Sequence, residues 1–249
     1  MKYFYLALFI IFSTTRSHAA VIVVPNVRNS GTTVQVSGPF SQFSTPPTIT
    51  SMRDQQVYAS DQFSEINHGG GFITGVGYAI IGGGWPLQPG GVIPKLQIDL
   101  STTSNGPDGL STVFAENVGA DNRIVVGPKP VYVAANTPGH PPGFSVFIPF
   151  DQPFFYDPAQ GNLLMDVRNI EAPGFVNSAG AFAGIEKMGD SISSVVGSDV
   201  SATTGFRGTL GMTTAFVVEP IPEPSTLMLM VVALPLIFFA VRRKKQPTN

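Results

Sequence analysis

Hydrophobic and polar residues alternate along much of the chain between residues 20 and 219. In residues 95–100, Leu96, Ile98 and Leu100 alternate with lysine, glutamine and aspartate. Similar alternation recurs in residues 33–36, 144–150, 163–168 and 210–218. A period of two places successive side chains on opposite faces of a β-strand, whereas an amphipathic helix requires a period near 3.6. Clean helical periodicity is missing from this region, so the pattern predicts an all-β domain of about ten short strands.

Clusters of glycine, proline, asparagine and aspartate separate the alternating stretches. They occupy residues 104–109, 127–128, 137–143 and 157–162. In the last cluster, Pro158 suits the second position of a type I turn and Gly161 suits a following left-handed residue. We therefore expect residues 154–156 and 163–165 to pair as a hairpin. The spacing of strands and turns predicts an antiparallel β-sandwich, with a jelly roll or a closed barrel as the alternative.

The glycine-rich stretch over residues 69–84 predicts a further strand, over residues 72–81. Gly75 and Gly77 then mark bulges or close packing inside that strand. The stretch has neither GxGxxG nor Walker spacing, and no helical pattern follows it to supply a phosphate-binding N-terminus. A nucleotide site is therefore not expected there.

The composition is that of a folded domain rich in turns. Glycine and proline account for 49 of the 249 residues, and 43% of the residues are hydrophobic, which is too many for a disordered chain. Residues 20–219 carry 15 acidic and 8 basic side chains, a net charge of −7. A surface of this sign repels phosphate backbones, so nucleic-acid binding is not expected. The sequence has no cysteine, which excludes a disulfide scaffold, a cysteine nucleophile and thiolate metal ligands.

The first 19 residues have the layout of a secretory signal peptide. Lys2 precedes an apolar run over residues 3–12, and a short polar stretch ends in Ser17-His18-Ala19. Small residues stand at the −3 and −1 positions if cleavage falls between Ala19 and Ala20. The apolar run is too short for a membrane anchor. We therefore expect the residues that follow to be exported.

The other end of the chain carries three features in a fixed order. These are Pro222-Glu223-Pro224, an apolar run over residues 227–241, and a basic cluster of Arg242, Arg243, Lys244 and Lys245. The prolines hold the residues before them in an extended form, which a protease requires. A helix of 15 residues spans only about 22 Å, so it crosses the roughly 30 Å hydrocarbon core only by thinning the bilayer. The basic cluster favours the cytoplasmic side. On these grounds alone the tail is either a processed signal or a plain short anchor.

The ordered set of features resembles the PEP-CTERM sorting signal of Gram-negative bacteria. In that family an integral-membrane exosortase recognises and processes the signal. The resemblance implies an exosortase-type partner acting at Pro222, Glu223 and Pro224, and a precursor held transiently in the inner membrane. It also implies a final location at the cell surface or outside the cell. Because this sorting system is associated with exopolysaccharide-producing bacteria, exopolysaccharide is implied as a further partner.

Parts of the middle region are similar to uncharacterised PEP-CTERM proteins. The similar stretches are residues 53–63, 96–103, 107–111, 156–158 and 161–169. This similarity supports a single domain and brings no activity with it. The predicted organisation is therefore a signal peptide over residues 1–19, one β-sandwich domain over residues 20–219, and a sorting signal with a short apolar helix over residues 220–249.

Candidate sites inside the predicted domain are few. His68 and His140 each lie in a glycine- or proline-rich loop without a partner at metal-binding spacing, and no Gly-x-Ser-x-Gly elbow is present. Oxygen-bearing side chains that could bind a structural calcium ion are close in sequence but lack EF-hand spacing. They are Asp99, Asn105, Asp108, Glu116, Asn117 and Asp121. Turn formation accounts for most of these residues, so no cofactor is predicted.

Three classes of function fit this sequence. The expected one is a non-catalytic surface or matrix protein, because no nucleophile, metal cluster or cofactor loop is recognisable. The first alternative is a carbohydrate-binding module that stacks sugars on exposed rings, although core packing is the default for such rings. The rings concerned are Trp85, Tyr58, Tyr78, Tyr132 and Tyr156. The second alternative is a glycan hydrolase that uses a pair of carboxylates, which sequence cannot select.

Overall fold

The computed structural model describes residues 19–26, 33–36, 39, 51–66, 69–79, 91–133, 144, 146–171 and 182–221. Within these ranges the regular structure is β-strand, apart from three short 3-10 turns at Ser60–Phe63, Phe114–Glu116 and Pro158–Gln160. The strands are β1 (Ala20–Val24), β2 (Thr33–Val36), β3 (Met52–Tyr58), β4 (Gly71–Tyr78), β5 (Gly91–Thr103), β6 (Arg123–Val133), β7 (Val146–Tyr156), β8 (Asn162–Glu171), β9 (Phe182–Glu186), β10 (Ile192–Gly197), β11 (Phe206–Gly208), β12 (Leu210–Met212) and β13 (Thr214–Pro220).

These strands form three sheets in which every pairing is antiparallel. The four-stranded sheet has the order β1-β13-β4-β7, and the six-stranded sheet has the order β11-β10-β3-β8-β5-β6. A small sheet of order β12-β9-β2 completes the described fold. The prediction of an all-β fold built from antiparallel sheets is confirmed.

The two larger sheets contribute to one main hydrophobic core. Ile98 of β5 and Met165 of β8 are fully buried on one side, as are Ile73 of β4 and Phe216 of β13 on the other. The ring of Tyr58 from β3 meets the ring of Phe216 edge-on, with centroids 4.8 Å apart. Each large apolar side chain buried in this way stabilises the fold by roughly 1.5–3 kcal/mol. The period-two alternation in the sequence thus becomes the inner face of each sheet.

The segment 104–122 covers part of the outer face of the six-stranded sheet. Its Leu110 and Phe114 side chains form a second apolar cluster with Val57 of β3 and Leu164 of β8. Both faces of β3 and β8 are therefore buried near their centres. A strand in this position has no solvent-facing side, so any polar residue within it must find a partner.

The prediction that residues 154–156 and 163–165 pair as a hairpin is wrong. The turn itself forms, because the Gln160 amide donates to the Asp157 carbonyl at 3.0 Å with Pro158 in the second position. However, β7 pairs with β4, whereas β8 pairs with β3 and β5. The connection therefore crosses from the four-stranded to the six-stranded sheet. This crossing lets the apolar faces of both strands enter the core from opposite sides.

Residues 210–218 form two strands, although their alternation predicts one. The residues of β12 pair with β9, and those of β13 pair with β1 and β4. The break falls at Thr213, whose amide donates to the Ala183 carbonyl at 2.8 Å. Met212 and Phe216, on either side of the break, are both buried. The alternation continues through the change of sheet, which is why the sequence does not reveal it.

The strand predicted over residues 72–81 is observed as β4, and residues 80 and 81 lie outside the described part. The register of β4 against β7 shifts between Ile73 and Gly75, which agrees with the irregularity expected at Gly75. Gly77 pairs in regular register and is closely packed, since a Cβ atom there would lie 3.3 Å from the Val146 carbonyl oxygen.

Candidate functional site

The last strand of the domain leads directly into the tail. β13 lies between β1 and β4, and its Phe216 and Val218 side chains are buried in the core. The strand ends at Pro220, and the next residue, Ile221, is 40% exposed. A strand that is hydrogen-bonded along both edges is firmly held in the sheet. The tail therefore departs from a fixed point, one residue before Pro222.

The position expected for signal-peptide cleavage lies beside this point. Ala19 is exposed, and Ala20 is the first residue of β1. Because β1 runs antiparallel to β13, Ala20 lies opposite Val218. The beginning of β1 and the end of β13 are thus neighbours at one end of the four-stranded sheet. Cleavage between Ala19 and Ala20 would leave the strand complete.

Several residues named by the sequence analysis lie outside the described part. These are the predicted sorting motif Pro222, Glu223 and Pro224, the apolar run 227–241, the basic cluster Arg242, Arg243, Lys244 and Lys245, and also His68, Trp85 and His140. Ala19–Glu223 forms one compact unit. No helix among the described residues is long and apolar enough to cross a membrane.

Comparison with protein-family models places a PEP-CTERM protein-sorting motif at residues 220–244. The match begins at the last residue of β13 and runs through the proline motif and the apolar run into the basic cluster. The chain therefore carries a PEP-CTERM protein-sorting motif, a signal that is consistent with export, a membrane-anchored precursor and processing by an exosortase. The resemblance of the tail is confirmed, whereas that of the middle region stays a prediction. No curated protein and no solved structure was found to match the chain.

A second candidate site is a charged network on the outer face of the six-stranded sheet. Arg53 Nη2 donates to Asp166 Oδ2 at 2.5 Å, and Arg53 Nε lies 3.1 and 3.2 Å from the two carboxylate oxygens. Gln55 Nε2 donates to Asp166 Oδ2 at 3.0 Å and also to the Phe114 carbonyl at 3.1 Å. The Arg53 guanidinium lies over the Phe114 ring, 4.4 Å from its centroid. These contacts fasten the segment 104–122 to the sheet.

Arg168 extends the network to β5. Its Nη2 atom donates to Asp166 Oδ2 at 3.2 Å, and its Nη1 atom lies 3.4 Å from Asp99 Oδ2. Asp99, one of the residues considered for calcium, also accepts from Gln97 Nε2 at 2.9 Å. Burial raises the pKa of Asp99, although the Gln97 hydrogen bond and the Arg168 charge oppose the rise. The two aspartates are matched by two arginines, so the arrangement is neutral and suited to holding structure.

The side chain of Asp54 lies on the face of β3 opposite to that of Arg53 and Gln55, and its negative charge is poorly compensated. It is 6% exposed, and its Oδ1 atom is buried without a hydrogen-bond partner among the described residues. Burial, reinforced by the negative charge of Asp166, raises the pKa of Asp54 to about 7. A carboxyl group with such a pKa suits proton transfer at neutral pH. With so little exposure, however, it is poorly placed to meet a substrate.

Sequence analysis missed both the charged network and Asp54. The signal lies in residues 53–56 of β3, where four polar residues follow one another inside a strand. Consecutive polar residues place polar groups on both faces of a strand. In a strand buried on both sides, such groups require partners or a shifted pKa.

The residues considered for calcium are not brought to one point. Asn105 Nδ2 donates to Asn117 Oδ1 at 2.8 Å and to the Glu116 carbonyl at 3.1 Å. Asp121 Oδ1 accepts from the Thr102 amide at 2.7 Å. These bonds are turn and loop contacts, as turn-forming residues make. Among the described residues, no group of three or more histidines or acids could hold a metal ion.

The Asp108 side chain instead contacts Gly189, the residue before Asp190. Asp108 Oδ2 accepts from the Gly189 amide at 2.7 Å, and Asp190 Oδ1 accepts from the Ile192 amide at 2.9 Å. The second oxygen of each carboxylate is buried and has no hydrogen-bond partner within the described ranges. Burial, with a contribution from Asp108, raises the pKa of Asp190. Two carboxylates fall well short of the six to eight oxygens that calcium takes.

Three of the tyrosines considered for sugar stacking are core residues. Tyr58, Tyr78 and Tyr156 are fully buried. The Tyr156 hydroxyl donates to the Gly161 carbonyl at 2.9 Å, and the Tyr58 hydroxyl is hydrogen-bonded to that of Thr214 at 2.9 Å. Rings in these positions cannot stack on a ligand. The side chain of Tyr132 lies outside the described part.

Proposed function

We propose that the protein is an exported surface or extracellular-matrix protein of a Gram-negative bacterium, without catalytic activity. Its precursor is held in the inner membrane by the tail until an exosortase acts near Pro222-Glu223-Pro224. The observation that carries this proposal is the PEP-CTERM motif that begins at the last residue of β13.

The end of β13 suits release by proteolysis. Both edges of the strand are paired, and the strand ends at Pro220, before the sorting motif. The sequence predicts an extended form for this stretch, because Pro222 and Pro224 disfavour helix at the residues before them, and a protease requires such a form. A cut within the motif would leave every strand of the domain in place. The product would therefore keep its fold after losing the tail.

The absence of catalysis is proposed because several carboxylates of the described part are held by structural partners. Asp166 and Asp99 are held by arginine and glutamine side chains. Asp151 is paired with Lys129 and also accepts from the Gly127 amide. Carboxylates committed in this way are poor candidates for the acid and base of a hydrolase, which must face a substrate.

The sorting step is tested by replacing Pro222, Glu223 and Pro224 with alanine in the producing bacterium. We expect the wild-type protein to be released without its tail, and the variant to stay in the membrane fraction at full length. A matched control replaces Pro247, Thr248 and Asn249, which follow the basic cluster, and should behave as the wild type. Release of the motif variant at the wild-type rate would contradict the proposal.

The absence of catalysis is tested with the exopolysaccharide of the same bacterium. Incubation with the purified released protein should produce no new reducing ends. New reducing ends that disappear when single aspartates or glutamates are replaced would show a hydrolase. Saturable retention that depends on Trp85, without degradation, would favour the carbohydrate-binding alternative.

A further inference from the structure

Four of the seven large hydrophobic side chains that are exposed in the described part lie near one end of the four-stranded sheet. They are Val21, Phe72, Phe155 and Ile221, with exposed fractions of 39%, 36%, 45% and 40%. We call this set the apolar rim. The other three are scattered elsewhere, at Ile124, Met188 and Phe206.

Strand register explains why the two rings of the rim meet. Phe72 of β4 lies opposite Phe155 of β7, and the ring centroids are 5.6 Å apart. The neighbouring Ile73 and Phe154 point into the core, so Phe72 and Phe155 share the outer face of the sheet. On its other side, Phe72 lies opposite Glu219 of β13.

The Phe155 ring packs closely over Gly70. A Cβ atom built on Gly70 would lie 2.6 Å from Cζ of Phe155, so the ring covers the space that this glycine leaves open. The ring remains 45% exposed while it is held there. An aromatic side chain that is ordered and exposed loses little conformational entropy when a partner covers it.

Both chain ends leave the domain beside the apolar rim. Ala20 lies opposite Val218, and Pro220 lies opposite Gly71, the residue before Phe72. Only residues 221–226 separate Pro220 from the apolar run of the tail. The seven steps from Pro220 to Leu227 span at most about 25 Å when fully extended. In an anchored precursor, this end of the sheet therefore stays within about 25 Å of the membrane.

We propose that the apolar rim rests on the lipid surface while the precursor is anchored; this inference rests on the proposed function. Aromatic side chains are favoured at the membrane–water interface, where an apolar surface can enter the headgroup region. Glu219 beside Phe72 and the net charge of −7 oppose anionic lipids, so the fitting surface is zwitterionic. Contact at the rim would keep the sorting motif at the depth of an integral-membrane protease.

The lack of cysteine makes a direct test practical, because one introduced cysteine carries the only label. The full-length chain is reconstituted in phosphatidylcholine vesicles as Phe155→Cys, Val21→Cys or Phe206→Cys, each labelled with an environment-sensitive fluorophore. Phe206 of β11 serves as the matched control, since it is 85% exposed and belongs to the six-stranded sheet. Spin-labelled lipid headgroups should quench the labels at 155 and 21 several-fold more than the label at 206. Aqueous iodide should show the reverse order.

The possible outcomes distinguish the proposed lipid contact of the apolar rim from the proposed membrane anchoring of the precursor. Val21→Cys keeps both rim rings, so its result stands even if Phe155→Cys folds poorly. A chain that floats with the vesicles but whose labels at 155 and 21 respond like the label at 206 overturns the rim alone. Iodide protection that grows with the protein-to-lipid ratio, without lipid quenching, overturns it in favour of a second copy of the chain. A chain that does not float overturns the anchored precursor, and the rim with it.

Discussion

Asp54 and Asp166 lie on neighbouring strands and face opposite sides of the six-stranded sheet. Asp166 accepts hydrogen bonds from Arg53, Gln55 and Arg168, whereas Oδ1 of Asp54 has no partner in the part of the chain that the structure describes. A buried ionised carboxylate without compensation is costly, so Asp54 keeps its proton to higher pH. The residue type alone does not predict whether an aspartate is paired or protonated, because this outcome depends on which strands become neighbours.

Asp54→Asn should stabilise the fold at high pH. The folded-state pKa of Asp54, about 7, exceeds its ordinary value of 3.8, so the native state binds more protons between these values. The stability that this pKa difference contributes is therefore present below pH 4 and is lost as the pH rises to about 7. This rise in the pKa of Asp54 corresponds to a change of at most about 4 kcal/mol in the free energy of unfolding. We expect the variant to gain stability over the wild type at pH 8 and little at pH 4.

Urea unfolding of residues 20–221, followed by circular dichroism at both pH values, measures this effect. Glu65→Gln, at an exposed position, serves as the control. Its free energy of unfolding should differ between pH 4 and pH 8 by as much as that of the wild type. An Asp54→Asn protein that is less stable than the wild type at pH 8 would show that the buried carboxylate is compensated after all.

Arg53→Met should strongly destabilise the fold. It removes the closest partner of Asp166, whose side chain is 3% exposed, and leaves the carboxylate with Gln55 and Arg168. Breaking a buried pair by removing one partner typically costs about 3–5 kcal/mol. The exposed pair of Lys95 and Glu171 offers a control, because Lys95→Met should cost under about 1 kcal/mol.

The free energy of unfolding of both variants decides this comparison. Hydrogen exchange should show that the loss in Arg53→Met is greatest in segment 104–122, which Arg53 contacts through Phe114. Equal costs for the arginine and lysine variants would mean that the network does not hold the segment.

At the scale of strands, sequence alternation predicted which side chains are buried but not which strands pair. Leu163 and Met165 are core residues as expected, yet β8 does not pair with β7. Residues 210–218 keep one period across two sheets. Alternation reports only the face of a side chain, which is the same whether the chain turns back or crosses over. Partner choice is settled by distant strands that no local pattern contains.

The crossing between β7 and β8 makes a prediction for Gly161. This residue has φ 149°, not the left-handed value expected from the turn, and a Cβ atom there would lie 2.7 Å from the Thr103 carbonyl oxygen. Gly161→Ala should therefore cost about 2–4 kcal/mol, from strain and from the clash. Gly189 also has positive φ, at 77°, but faces open space. Gly189→Ala should cost only about 1 kcal/mol.

Thermal unfolding of the two alanine variants compares a tightly packed glycine with an open one, since both positions carry a positive φ. The melting temperature should fall several degrees further for Gly161→Ala than for Gly189→Ala. Equal shifts would imply that the connection between the sheets has room to relax.

At the scale of the whole molecule, sequence and fold supply different parts of the account. The sorting signal could be predicted from sequence because it is a linear motif whose meaning does not depend on the fold. The apolar rim could not, because it depends on register across β1, β13, β4 and β7. The same register brings the beginning of β1 and the end of β13 together. The strand ends that adjoin the two predicted processing sites thus lie at one end of one sheet.

The mass of the exported protein tests the central claim most directly. Intact-mass measurement of the form released by the producing bacterium should give a chain that begins at Ala20 and ends at or near Pro222-Glu223-Pro224. That chain would contain every strand from β1 to β13 and lack residues 227–249. A released form that still carries Arg242, Arg243, Lys244 and Lys245 would contradict processing at the motif and leave the tail as a plain anchor.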